Sequence, residues 1–142
     1  MKVSDDMLHA LKRFEGYRAK AYRCPAGVWT CGYGHTRGVT ARTTCNEAKA
    51  MEWLRKDLEP IESFLSAIPE VCRAQGRFDA CADFCFNLGL NAFRESTLLK
   101  LIRKKAATGT VQAEFLKWVY AGGRRLKGLE ERRRWEARRY AE

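Results

Sequence analysis

No apolar run in this 142-residue chain approaches the ~18 residues needed to cross a bilayer. Its start, Met1-Lys2-Val3-Ser4-Asp5-Asp6, has no apolar stretch ahead of a small-residue cleavage site. The expectation is a protein made in the cytosol, with no stable membrane insertion. Histidine is scarce: His9 and His35 are the only two, and no Cys-x-x-Cys pair occurs. The usual four-ligand spacings of structural zinc are therefore missing, and neither a metal nor a cofactor is expected. The six cysteines, Cys24, Cys31, Cys45, Cys72, Cys81 and Cys85, fall short of the ~8–10% that marks a disulfide scaffold. Linkers, internal repeats and low-complexity tracts are absent, and the length suits one domain of ~100–200 residues, so residues 1–142 are expected to form a single domain.

Acidic residues are outnumbered. Lys and Arg total 27 against 17 Asp and Glu, a formal net charge of +10. Such an excess draws a chain toward polyanions such as nucleic acid, an anionic membrane surface or an acidic wall polymer, but it governs encounter and not chemistry. Charge is the only feature favouring nucleic acid, so no nucleic-acid partner is expected. A membrane-disrupting role for the Arg-rich residues 126–142 would need a broad apolar face, and Leu126, Leu129, Trp135 and Tyr140 make a thin one. With 46% apolar and 31% charged residues the composition is globular.

Local patterns predict an α+β chain. Ser4 caps a first helix that carries Asp5 and Asp6 in its first turn and Met7, Leu8, Leu11 and Phe14 at helical spacing, ending near Gly16. Between Tyr17 and Val39, short apolar pieces broken by Gly27, Gly32, Gly34 and Gly38 predict a small antiparallel sheet, the only strand region expected. Thr44-Cys45-Asn46-Glu47 has the form of a capping box, opening a helix that Pro60 is expected to stop. Further helical faces follow at Phe78–Leu88, at Leu98, Leu99 and Ile102, and at Phe115, Trp118 and Val119. The sheet-containing part is placed at about 15–40 and a helical lobe at about 44–142 together with the N-terminal helix. A groove between sheet and lobe is the expected ligand site.

Chemistry concentrates between Phe14 and Thr36. Glu15 ends an apolar helix face just before a glycine and the sheet, where partial desolvation would raise its pKa toward general-acid range. The pattern alone favours a helix-end glutamate held in an ion pair. Cys24 reads as a small packed side chain, half of a disulfide, or a thiolate favoured by nearby Arg18, Lys20 or Arg23. His35 fits a pin, through a hydrogen bond or ion pair, between the sheet and the helical lobe better than a second proton carrier. His35, Tyr33 and Asn87 are candidate substrate contacts, with a structural pin, core packing and helix capping as the respective alternatives.

Glu15-Gly16, the aromatic after it, and Thr30-Cys31-Gly32-Tyr33-Gly34-His35-Thr36 resemble the phage-type lysozymes, the endolysins of the T4 lysozyme family. Phe78-Asp79-Ala80, Phe86-Asn87-Leu88-Gly89, Ser96-Thr97-Leu98-Leu99-Lys100 and Gly128-Leu129 with Arg132, Arg133 and Glu136 match family positions in the same order, over roughly residues 5–140. The resemblance implies a muramidase cutting the β-1,4 bond between N-acetylmuramic acid and N-acetylglucosamine of bacterial peptidoglycan, and so host lysis. Carried over by position, Glu15 is the acid and Thr30 places the attacking water, while the family's catalytic aspartate falls on Cys24. A branch resembling the phage P1 lysozyme also has cysteine there, which implies an active enzyme with a thiolate base or nucleophile. The alternative is a lysozyme-fold protein impaired at Cys24 that binds wall or a partner. A monomer made in the host cytoplasm and acting on the wall from the periplasm is expected, and the family implies a holin-type pore for access. Arg132 and Arg133 are expected to fork onto a carboxylate near the sheet, an architectural role.

Overall fold

The computed structural model describes all residues, 1–142, and divides the chain into two compact units, Leu8–Pro60 and Met1–Met7 with Ile61–Glu142. The division falls inside two helices. No helix is long and apolar enough to cross a membrane.

The first unit holds most of α1 (Asp5–Glu15), the hairpin β1 (Arg18–Arg23) and β2 (Trp29–Gly32), and the first part of α2 (Glu47–Ser66). The strands are antiparallel, pairing Tyr22 with Thr30 and Arg23 with Trp29, and a register shift between Arg18 and Tyr22 bends β1. Their connection is written in its residues: Gly27 N donates to the Cys24 carbonyl at 2.8 Å, with Pro25 second in the turn and Gly27 at φ 80°. Proline pre-sets the turn's second position and glycine accepts the left-handed one. The segment before α2 lies along the other side of β1, with Ala21 N donating to Thr43 O at 3.0 Å and Cys45 N to Ala19 O at 2.9 Å.

Helix α2 departs from the sequence expectation at both ends. Its cap is Asn46, whose Oδ1 accepts from Lys49 N at 2.8 Å, and not Thr44. It also continues through Pro60 to Ser66. Pro60 removes one backbone donor, but Leu58, Ile61 and Leu65 are buried on either side of it, and that apolar face holds the helix together across the gap.

The second unit is helical: α3 (Gln75–Leu88), α4 (Leu90–Arg94), α5 (Thr97–Arg103), α6 (Thr108–Phe115) and α7 (Lys127–Tyr140). Helix α3 is buried continuously from Phe78 to Cys85, as a central helix must be. Phe84 meets Phe93, Phe115 and Trp118 edge-on at 5.2–6.0 Å between ring centres. Backbones approach closely at Gly76, where a Cβ would lie 2.1 Å from the Arg139 carbonyl oxygen. Trp118 and Val119 follow α6 and do not belong to a helix. A second strand pair, β3 (Tyr120–Ala121) and β4 (Arg124–Arg125), turns on Gly122 and Gly123, so the Tyr17–Val39 region is not the only one with strands.

Two acidic residues of α3 anchor α7. Asp83 takes a fork from Arg132, Nε and Nη2 each 2.9 Å from its oxygens. Asp79 accepts from Arg139 Nη2 at 2.7 Å, from Ser4 Oγ at 2.5 Å and from Gln75 Nε2 at 2.9 Å. Arg133, wholly buried, donates through Nη2 to Asn87 Oδ1 at 2.7 Å and to Glu136 Oε2 at 3.0 Å. Its Nε is 2.7 Å from Glu136 Oε1, in an approach too oblique for a hydrogen bond. Burial, then the neighbouring Asp83 carboxylate, push Glu136 upward in pKa. The arginine fork therefore falls on α3 and not on a carboxylate near the sheet, because the apolar stripe of α7 that carries Ala137 and Tyr140 turns this pair inward.

Candidate active site

Glu15 is the last residue of α1 and is half-buried. The chain leaves the helix through Gly16 at φ 71°, and Gly16 N donates to Lys12 O at 2.9 Å, which fixes where the Glu15 side chain starts. Its carboxylate lies against Gly34: a Cβ at that position would stand 2.5 Å from Glu15 Oε1. The glycine at 34 is thus occupied space, and not merely a permissive turn.

Gly34 is placed by a closed loop. Cys31 N donates to His35 O at 2.9 Å and His35 N returns the bond to Cys31 O at 3.0 Å, with Gly32 and Gly34 at φ 69° and 75° between them. Gly32 packs on α2, where its Cβ would lie 3.0 Å from Ala50 Cβ. His35 Nδ1 is 2.8 Å from Asp57 Oδ2, and its ring stacks on Trp53 at 4.6 Å and 14°. His35 is buried, which matches the pin read from sequence, with Asp57 of α2 as its partner.

Cys24 opens the β1–β2 turn and is half-buried. The Val28 backbone N–H, with help from Ala26 N–H and the Thr30 hydroxyl, holds its thiol below the ordinary pKa against the opposing effect of burial. Donors aimed at sulfur favour the thiolate. Thr30 is buried and its hydroxyl donates to Val28 O at 3.0 Å, beside the Cys24 thiol. All six cysteines are free thiols.

Tyr33 is buried, 5.5 Å from Tyr17 between ring centres, with Lys12 Nζ 5.6 Å from its own centre. Asn87 belongs to the helical unit, where its Oδ1 is taken by Arg133 instead of capping its helix. Sequence reasoning missed Asp57, Trp53 and the backbone donors of Val28 and Ala26. Asp57 and Trp53 carried no signal, lying about 20 positions from His35 in an ordinary amphipathic helix, and Val28 acts through its backbone alone. The positive φ of Gly34 was legible; its closeness to Glu15 was not.

A small antiparallel hairpin set among helices, in a mostly helical chain, is a lysozyme-like α+β framework. The phage lysozyme family matches residues 12–136, and the chain belongs to that family. It is 39% identical over 140 residues to an endolysin of Acyrthosiphon pisum secondary endosymbiont phage 1, covering 96% of this chain and 95% of that one. It is 35% identical to the endolysin of Salmonella phage P22, covering 86% of each. Among solved structures, the muramidase domain of SpmX from Asticaccaulis excentricus superposes with a TM-score of 0.88 at 30% identity, over 98% of this chain and 97% of that one. The active form of P1 phage endolysin Lyz gives 0.86 at 25% identity, over 98% and 84%, and its secreted inactive form gives 0.62 at 22%, over 97% and 94%.

Proposed function

We propose that this phage lysozyme hydrolyses the β-1,4 bond between N-acetylmuramic acid and N-acetylglucosamine in bacterial peptidoglycan, with Glu15, Cys24 and Thr30 as its catalytic residues. Family membership supports the muramidase class. The assignment to these residues is supported by the donors around Cys24, which lower its thiol pKa and so favour an anion where a carboxylate is usual. Glu15 in its protonated form gives its proton to the departing glycosidic oxygen as the C1–O bond breaks. The Cys24 thiolate stabilises the positive charge that develops at C1. A water held by the Thr30 hydroxyl then adds to C1 and passes its proton to Cys24. Tyr33 and Asn87 are the remaining candidate sugar contacts, and His35 acts through Asp57 and Trp53 to hold the 31–35 loop. Synthesis in the host cytoplasm, passage through a holin-type pore and action as a monomer complete the reading.

Reducing ends released from purified peptidoglycan test it. Glu15→Gln is expected to lose at least ~100-fold in rate. Cys24→Asp keeps activity and Cys24→Ser loses it, because serine cannot ionise in the working range. The wild-type rate rises as Cys24 deprotonates, at a pH below the ordinary thiol range, and Cys24→Asp moves that rise down to carboxylate pH. Wild type that binds wall without releasing reducing ends would instead fit the impaired, binding-only reading.

A further inference from the structure

We propose that Cys31 and Cys45 form an intramolecular cystine that ties β2 to the segment leading into α2 and leaves Cys24 as the free thiol. Their sulfurs are 3.6 Å apart, although the residues are 14 positions apart in the chain. Each sulfur is also 3.6 Å from the Arg18 carbonyl oxygen, so the two thiols converge on one point beside the bend in β1. The backbone already holds both: Cys31 through its paired bonds with His35, Cys45 through its bond to Ala19 O. Strand alternation separates this pair from the catalytic thiol. Thr30 turns toward Cys24, so Cys31, the next residue, turns to the opposite face of the hairpin.

Exposure sets the order of the chemistry. Cys31 is fully buried, and burial with the neighbouring Cys45 raises its pKa, so it cannot begin the exchange. Cys45, half-buried, meets the oxidant first. The oxidant is a small or protein disulfide, RS–SR. The Cys45 thiolate attacks one of its sulfurs, forming a Cys45–S–S–R mixed disulfide and expelling RS⁻. Cys31 gives its proton to that RS⁻ and attacks the Cys45 sulfur, expelling the second RS⁻, which takes up the proton Cys45 had lost to solvent. The two cysteine thiols lose two electrons in all, and RS–SR becomes two RSH.

The test uses wild type and Cys45→Ser, each equilibrated with excess oxidised glutathione, alkylated in denaturant and digested with trypsin without reduction. In wild type the expected product joins residues 24–37 to residues 43–49 with Cys24 carrying the alkyl label, and four of the six cysteines are alkylated. Its midpoint of thermal unfolding rises about 5–10 °C over the reduced protein, because the bond closes a short loop in the unfolded chain. Cys45→Ser shows neither the cross-link nor the rise. Alkylation of all six wild-type cysteines overturns the proposal and leaves a contact between two thiols. A cross-link that consumes Cys24 overturns it as well.

Discussion

At the scale of single residues, the site depends on a hydrogen atom. Gly34 has no Cβ where one would stand 2.5 Å from Glu15 Oε1, and its φ of 75° is one that other residues rarely adopt. Gly34→Ala is expected to displace the Glu15 carboxylate and lower the hydrolysis rate at least ~10-fold, while the left-handed backbone costs only about 1–2 kcal/mol of stability. Comparing kcat with the thermal midpoint separates the two effects, since a merely destabilised protein would keep its kcat below the transition. The residue types at this site were legible from sequence: Glu15 before Gly16, Thr30 on a strand, Cys24 before Pro25. What distinguishes Cys24 from a packed thiol was not, because the Val28 N–H leaves no trace in its side chain.

At the scale of elements, local signals governed where chains start and turn, and packing governed where they stop. Ser4 caps α1 as read, with Met7 N donating to its Oγ at 3.1 Å. Pro60 was read as a stop for α2, yet the helix runs on because its buried face continues beyond the proline. The strands β3 and β4 are two residues each, too short to leave an alternating pattern. The polar contacts of α7 show the same limit: Arg132 and Arg133 are adjacent in sequence, yet Arg132 serves Asp83 of α3 and Arg133 serves Glu136 of its own helix. Arg133→Ala would strand the buried Glu136 carboxylate and Asn87 Oδ1, and is expected to destabilise by about 3–5 kcal/mol in chemical unfolding. Combining Arg133→Met with Glu136→Leu removes both charges, and should recover most of that loss.

At the scale of the whole molecule, the charge of +10 governs encounter with a carboxylate-bearing wall. Raising salt from 0.05 to 0.5 M, roughly a threefold shorter Debye length, is expected to raise KM for intact peptidoglycan several-fold. The rate on a short neutral oligosaccharide should stay unchanged, and parallel losses on both substrates would count against an electrostatic origin. By itself the sequence determined the α1 cap, the glycine turns, the faces of α1, α3 and α5, and the order of motifs that the family shares. Each of these depends on neighbours within about four positions, where backbone geometry decides. Only the tertiary structure joined His35 to Asp57, Cys31 to Cys45, and Ser4 to Asp79 and Arg139. Those partners are 14 to 135 positions apart, and which groups meet over such spans is set by how buried faces pack, a choice that no local pattern encodes.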